Sequence, residues 1–438
     1  QECIKPVKIE KKNVGTGSKI KIESDGSYTQ IDEAGVKEKL GRVDISLTDC
    51  LACSGCITTA ETVLINQQSH DEMLRVFRNK SAEGYKLIVA SLALQPILSL
   101  AVCNKITPDV CLGKISGLLK RLGADMVLDI GIAEDFALVE EQKEFTERYN
   151  NSVNGNSSAL PMLASTCPGW VCYAEKTKGS LLPNLSSTRS PQQIAGTLVK
   201  KVLASRMNLA PNEVYHVTLM PCYDKKLEAS RSQFATGGVR DVDCVITPVE
   251  LNLLLEDNCP DGLLGESTSE IDWPWDIPKF GDPLTRPEGS GSGGYAHQVM
   301  SHAAQSLFGY SGPITFNNVR KSDFQEAVVE VEGKSLKFAV ATGFKNIQNL
   351  MNKIKRGKCD YHYIEIMACP SGCLNGGALI KGQLNQVKIE HESLNRRHPE
   401  EIHSVYDSLL GSNDFIEKNL HTQFEEVTYN PNPLNIKW

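Results

Sequence analysis

Three cysteine motifs follow directly on short apolar runs that have the composition of buried β-strands. Cys167 follows residues 160–165, Cys222 follows residues 215–220, and the pair Cys369 and Cys373 follows residues 361–367. Open α/β sheets bind ligands at the carboxyl ends of their strands. The sequence therefore predicts that these four sulfurs converge on one site at strand ends.

The chain around these motifs alternates apolar runs with helical patterns. Predicted strands lie at residues 87–92, 126–130, 160–165, 215–220, 242–247, 336–342 and 361–367. Predicted helices lie at residues 137–149, 191–206 and 346–355. Pro191 suits the first position of its helix, because proline has no N–H to donate there. This alternation predicts an α/β fold with largely parallel sheets.

The two ends of the chain have a different character. Short alternating runs at residues 19–23 and 27–31, joined by an Asp-Gly turn, predict a small β-rich element, and residues 58–67 predict a short helix or strand. Helical pieces are expected at residues 399–410 and 414–420. We therefore expect three parts: a metal-binding module at residues 1–80, an α/β domain at 81–383 and a helical tail at 384–438.

The segment at residues 256–294 is rich in Gly, Pro, Ser and acidic residues. We expect it to form an extended surface loop that ends at a helix over residues 295–307. Its Gly291–Gly294 run precedes that helix and could bind phosphate, but the Lys-Ser/Thr ending of a P-loop is absent. A helix-entry turn is the favoured interpretation.

The fourteen cysteines indicate metal chemistry more than disulfides. A chain of 438 residues has room for hydrophobic cores that need no covalent cross-links. Cys50, Cys53 and Cys56 have the two-residue spacing of ferredoxins, in which a fourth ligand comes from elsewhere. Cys3, with a proline three residues later, is the candidate fourth ligand.

The Pro and Gly residues beside Cys167, Cys222, Cys369 and Cys373 open the backbone so that N–H groups can face sulfur. Lys225 and Lys226 are nearby in sequence as candidate countercharge. Buried free thiols remain an alternative for this second group. For the Cys50 motif the alternative is zinc, which is usually bound by separated Cys-x-x-Cys pairs.

The other six cysteines have no ligand-type surroundings, and we expect them to be incidental or buried thiols: Cys103, Cys111, Cys172, Cys244, Cys259 and Cys359. The histidines show no paired metal-ligand spacing, so His216, His362 and His421 are expected to be structural.

The net charge of −7 argues against a nucleic-acid partner, since phosphate binding is driven by clustered Lys and Arg. No cleavable apolar leader is visible, and the longest apolar stretch, residues 87–102, is interrupted by Gln95 and Pro96 and too short to span a bilayer. We expect an intracellular protein of a reducing compartment with no membrane partner. Because Gln1 is not methionine, we expect the natural chain to begin upstream.

The cysteine motifs and several segments between them resemble iron-only hydrogenases. The resemblance follows their order along the chain, from residue 87 to the Leu-His-Thr-Gln segment at 420–423, in these segments: Thr166-Cys167-Pro168-Gly169-Trp170, Ser190-Pro191-Gln192-Gln193, Met220-Pro221-Cys222, residues 241–247, and Ala368-Cys369-Pro370-Ser371-Gly372-Cys373. It implies a two-lobed α/β domain with a [4Fe-4S] cluster between the lobes, ligated by Cys167, Cys222, Cys369 and Cys373. It also implies a ferredoxin-like amino-terminal module and a small-subunit-like tail.

Three positions depart from active hydrogenases. Thr166 replaces the cysteine that relays protons there, and a threonine hydroxyl has a far higher pKa than a thiol. The segment at 89–93 lacks the Ala-Pro-Ala wall of the di-iron pocket, and Gly376-Gly377 is followed by Ala-Leu in place of a further glycine and a Pro-containing turn. Hydrogenase activity is therefore not expected, although an active hydrogenase or other redox enzyme is the alternative function.

The subgroup with these departures is the eukaryotic iron-only hydrogenase-like family, also called nuclear prelamin A recognition factor-like proteins. The resemblance implies a cytosolic iron-sulfur assembly factor with two [4Fe-4S] clusters, one of them bound by Cys3, Cys50, Cys53 and Cys56. It implies cluster transfer from an early P-loop NTPase scaffold to a targeting complex of a WD40 propeller protein and its adaptors, with Trp438 as a partner-binding residue. A cytoplasmic location is expected, and the nucleus stays open as a second one. A zinc-stabilised interaction protein is a further alternative.

Overall fold

A computed structural model describes residues 19–22, 28–31, 37–39, 59–155, 160–275, 284–319, 323–397 and 403–427. The chain divides into two units, Gln1–Val63 and Leu64–Trp438. In the first unit, strands β1 (Lys19–Ile22), β2 (Tyr28–Ile31) and β3 (Lys37–Lys39) form an antiparallel sheet in that order. The two predicted strands at residues 19–31 are thus confirmed, and β3 was not predicted.

The second unit contains a four-stranded sheet in which every strand is parallel, in the order β10-β7-β4-β5. Its strands are β4 (Leu87–Leu92), β5 (Met126–Asp129), β7 (Val214–Leu219) and β10 (Cys244–Ile246). All residues of β4 and β7 are buried, as expected for a parallel sheet covered by helices on both faces.

A five-stranded mixed sheet forms the other half of this unit, in the order β11-β12-β13-β14-β6. Its strands are β6 (Met162–Leu163), β11 (Asn317–Asn318), β12 (Phe324–Val331), β13 (Lys334–Thr342) and β14 (Tyr363–Met367). The strands β13, β14 and β6 pair in parallel, whereas β11, β12 and β13 pair antiparallel. A separate short hairpin joins β8 (Ala235–Thr236) to β9 (Val239–Arg240).

The helices of the described residues, in chain order, are α1 (Thr59–Asn66), α2 (His70–Arg78), α3 (Leu94–Asn104), α4 (Pro108–Leu122), α5 (Gly131–Val153), α6 (Pro168–Thr177), α7 (Pro191–Thr197), α8 (Ala204–Arg206), α9 (Asp224–Ala229), α10 (Pro248–Asn258), α11 (Gly262–Gly265), α12 (Tyr295–Phe308), α13 (Phe344–Lys355), α14 (Leu384–Ser393), α15 (His403–Leu410) and α16 (Asn413–Leu420). Proline occupies the first turn of α4, α6, α7 and α10, where its missing N–H costs nothing. No described helix is long and apolar enough to cross a membrane.

The two sheets and their helices form five layers. The helices α5, α7 and α12 share one apolar core with residues of both sheets, including Val89 and Phe338. The opposite face of the parallel sheet packs against α2, α3, α4 and α10. The opposite face of the mixed sheet packs against α6 and α13. The expected two-lobed α/β fold is therefore present, with a helical layer between the lobes.

Two expectations differ from the structure. The predicted helix at 191–206 is interrupted by a π-helical turn, Leu198–Leu203, between α7 and α8. The prediction that residues 256–294 form an extended surface loop is wrong. This segment contains α11 and buries Leu263 and Trp275 in the apolar cores. Its polar composition concealed those two apolar anchors. The segment at 58–67, predicted as a helix or a strand, contains the helix α1 (Thr59–Asn66).

Candidate metal centre

The three cysteine motifs occupy corresponding positions after parallel strands. Cys167 follows β6 and is the N-cap of α6, and Cys222 lies between β7 and α9. Cys369 and Cys373 follow β14, with Cys373 in a short 3₁₀ turn. Because β6 and β14 are parallel neighbours, their carboxyl ends lie at one edge of the mixed sheet. The centre of the parallel sheet supplies the remaining cysteine through β7.

Glycines allow the three motifs to touch one another. A Cβ on Gly169 would lie 2.9 Å from the Asp224 carboxylate and 3.3 Å from the Cβ of Ala368. A Cβ on Gly376 would lie 2.4 Å from the Pro221 carbonyl oxygen. The first motif thus contacts both of the others, and the second and third contact each other.

The four sulfurs lie in one another's electrostatic field. Burial raises the pKa of each thiol, to about 12 for Cys369. Negative charge on Cys373 and Cys369 raises the pKa of Cys167 further. Negative charge on Asp224 and on the other three cysteines likewise raises the pKa of Cys222. Burial and mutual repulsion therefore favour the neutral thiols, and holding all four as thiolates would take positive charge from a bound group.

Backbone N–H groups and two lysines face these sulfurs. The N–H of Ala368 donates to Cys167 Sγ at 3.4 Å. Lys225, whose Nζ donates to the Thr166 carbonyl at 3.2 Å, favours the Cys373 thiolate. Lys381 does the same for Cys369 and donates to the Gly376 carbonyl at 2.8 Å. Donors of this kind offset the negative charge of an iron-sulfur cluster and tune its potential.

The described residues contain no ready-made site for a single metal ion. Within the described ranges, no three His, Cys, Asp or Glu side chains lie close enough to hold one. A tetrahedral zinc site gathers its sulfurs about 2.3 Å from one atom, whereas a [4Fe-4S] cube takes one thiolate at each iron. Four half-buried thiols with N–H donors and nearby lysines fit such a cluster.

The sequence also matches known proteins over this region. Residues 86–377 match the family described as iron only hydrogenase large subunit, C-terminal domain. A probable cytosolic Fe-S cluster assembly factor of Culex quinquefasciatus is 48% identical over 463 aligned positions, covering 100% of this chain and 96% of that protein. Cytosolic iron-sulfur assembly component 3 of Mus musculus is 44% identical, with the same coverage of both chains.

The chain belongs to the hydrogenase-like family of cytosolic iron-sulfur cluster assembly factors. Solved hydrogenases share the fold of this family member. Apo [FeFe]-hydrogenase HydA1 of Chlamydomonas reinhardtii, in a variant form, has a TM-score of 0.71 and 25% identity, covering 82% of this chain and 99% of that one. HydA(deltaEFG), solved in a study of H-cluster assembly, has a TM-score of 0.72 with the same identity and coverage. The expected hydrogenase-like fold is confirmed.

Two of the positions at which the sequence predicts a departure from active hydrogenases lie within the described residues. Thr166 precedes Cys167 at the end of the β6 connection, and its carbonyl accepts from Lys225. Ser91 lies in β4, where its hydroxyl is 2.8 Å from His216 Nε2. Burial lowers the pKa of His216 to about 3, so this ring is neutral.

The remaining predicted site residues, and the cysteines that were assigned no role, lie partly outside and partly inside the described ranges. Cys3, Cys50, Cys53, Cys56 and Trp438 lie outside the described residues, so their roles stay predictions. Ten cysteines lie inside the described ranges, and all ten are free. Among the six assigned no role, Cys111, Cys244 and Cys259 are buried, and Cys172 accepts a hydrogen bond from Arg231 at 3.3 Å.

One predicted countercharge is misplaced. Lys226 is buried away from the sulfurs, where it pairs with Glu250 of α10 and donates to the Gln68 carbonyl. Adjacent residues of a helix point in different directions, so Lys225 reaches the site and Lys226 does not. Sequence reasoning missed Lys381 and Asp224, for which no local pattern signals proximity to sulfur. Asp224 is detectable only as the acidic residue two positions after Cys222.

Proposed function

We propose that Cys167, Cys222, Cys369 and Cys373 bind one [4Fe-4S] cluster, held stably between the two lobes. The single observation that supports this most is the meeting of three distant motifs at strand ends, with all four thiols half-buried and interacting with one another. The cluster's irons supply the positive charge that these thiolates need. The chain's own N–H groups and lysines then hold and orient it.

A second [4Fe-4S] cluster is proposed for Cys3, Cys50, Cys53 and Cys56. The ferredoxin spacing of the last three residues supports it. We expect this cluster to be the more labile one, because a small module has little core to bury it. It is therefore the better candidate for handover.

The role that we propose is cluster transfer in the cytosolic iron-sulfur assembly pathway. The curated relatives named as cytosolic Fe-S cluster assembly factors, which align with the whole chain, support this role. The chain would accept a cluster from an early P-loop NTPase scaffold and deliver it to a targeting complex built on a WD40 propeller protein. Trp438 would bind that complex, and the site of action would be the cytoplasm.

Hydrogen turnover is not part of the proposed function. Thr166 occupies the proton-relay position, and its hydroxyl does not exchange protons readily near neutral pH. The check is hydrogen evolution from dithionite under anaerobic conditions. We expect none above a protein-free control, and sustained evolution would support the redox-enzyme alternative.

Anaerobic iron and sulfide quantification with EPR tests the cluster assignment. We expect about eight irons and eight sulfides per wild-type chain, and about four of each in Cys222→Ala or in Cys53→Ala. A colourless protein with stoichiometric zinc would refute the proposal. Iron content that is insensitive to Cys222→Ala would refute the assignment of these four ligands.

A further inference from the structure

The Gly-Ser run that precedes α12 lies directly against the third cysteine motif. The N–H of Cys373 donates to Ser292 Oγ at 2.9 Å. A Cβ on Gly291 would lie 2.3 Å from Leu374 Cδ1, and one on Gly372 would lie 2.5 Å from Ser292 Oγ. The run is therefore the helix-entry turn that the sequence predicts, and it also touches a candidate ligand.

Three further hydrogen bonds hold this turn in place. The Ser290 hydroxyl donates to Glu365 of β14, and the N–H of Ala296 donates to the same carboxylate at 2.9 Å. On the other side, Gln95 Nε2 of α3 donates to the Gly291 carbonyl at 3.1 Å. Contacts to both lobes thus fix the position of Ser292.

The hydroxyl of Ser292 has one proton left to donate. A serine hydroxyl offers one donor and two acceptor positions, and the Cys373 N–H uses an acceptor. The same hydroxyl is also hydrogen-bonded to the Cys373 side chain. Burial raises the pKa of Cys373, and the hydrogen bond from Ser292 opposes that rise by favouring the thiolate.

We propose that Ser292 is a positioning residue that holds Cys373 through both its N–H and its sulfur, and thereby sets the reduction potential and retention of the bound cluster. This inference rests on the proposed cluster at the four cysteines. Reduction adds negative charge to the cluster, and a hydrogen bond to a ligand sulfur stabilises that charge. The hydroxyl therefore raises the potential.

The test compares Ser292→Ala with wild type in the full chain by EPR-monitored titration with dithionite. At a fixed applied potential we expect the reduced fraction relative to oxidised to fall roughly ten-fold, which corresponds to 59 mV for one electron. Iron transfer to the chelator bathophenanthroline should also be faster. Ser311→Ala, an exposed serine beyond α12, should match wild type.

The isosteric pair Ser292→Thr and Ser292→Val separates the hydroxyl from its packing, and it serves if the alanine variant does not fold. Threonine should restore the wild-type potential and valine should not. Equal potentials in the two variants would overturn the inference. The EPR signal is assigned to this site by its loss in Cys222→Ala. A signal that survives in Cys222→Ala would refute the proposed cluster site itself, which is a distinguishable failure.

Discussion

Replacing Gly376 with alanine places a methyl group where the second and third cysteine motifs touch. The new Cβ would lie 2.4 Å from the Pro221 carbonyl oxygen and 2.9 Å from the Pro221 Cβ. The φ of Gly376 is −52°, which alanine adopts without strain. The effect of the substitution is therefore steric and reports on motif contact alone.

The expected cost follows from that geometry. Ordinary contact begins at 3.4 Å, so the two backbones must separate by about 1 Å. Overpacking of this kind costs about 1–3 kcal/mol. The separation also strains the hydrogen bond from Ala378 N–H to the Pro221 carbonyl, which contributes about 1 kcal/mol. We expect a total destabilisation of about 2–4 kcal/mol, with lower cluster occupancy because Cys222 moves away from Cys373.

Gly377→Ala is the matched control. A Cβ at this adjacent position meets nothing within 4 Å, and its N–H remains available to Cys369. Anaerobic denaturant unfolding and iron content should show Gly377→Ala within about 0.5 kcal/mol of wild type. Equal stability and iron content in the two variants would refute the inferred contact between the motifs.

Three further predictions concern the adjacent residues Glu140 and Glu141, whose carboxyl groups should give folding stability opposite pH dependences, and the iron bound by the first unit. Burial raises the pKa of Glu141 to about 8. The free energy of unfolding should therefore fall by about 1.4 kcal/mol per pH unit as the pH rises from about 4.5 to 8. Thermal melts should show that Glu141→Gln removes this loss of stability. Burial also opposes ionisation of Glu140, but hydrogen bonds from His421, Tyr406 and Lys143 lower its pKa to about 2. The stabilisation from the ionised Glu140 is therefore lost as the pH falls from 4.5 to 2. Glu140→Gln should lower the stability of the fold at pH 7 and reduce the loss of stability over that acidic range. Cys53→Ala should halve the iron content and leave the melting temperature of the second unit unchanged. Complete unfolding of the chain in this variant would contradict the prediction that the two units are separate modules. Unchanged pH slopes in the glutamine variants would contradict the two glutamate assignments.

The strands that carry the cysteines could be predicted because buried parallel strands are continuous apolar runs. The strand β4 has the predicted bounds, 87–92, and β7, β13 and β14 lie within two residues of theirs. Since ligands gather at carboxyl ends of strands, the placement of Cys167, Cys222 and the Cys369 motif followed from the same pattern.

The contacts that complete the site could not be predicted from local sequence. Ser292 and Cys373 are 81 positions apart, and a Gly-Ser run has the composition of any helix-entry turn. The contact of this Gly-Ser run with Cys373 becomes visible only when the fold brings α12 close to β14. The buried Trp275 was missed for a different reason, because its segment is rich in Gly, Pro, Ser and acidic residues and therefore looked like a surface loop.

Iron and acid-labile sulfide content of the Cys53→Ala chain, before and after adding Cys222→Ala, tests the central claim most directly. The first variant retains only the proposed inter-lobe site, so we predict about four irons and four sulfides, falling to nearly none in the double variant. An unchanged metal content on removing Cys222, or zinc in place of iron and sulfide, would contradict the account.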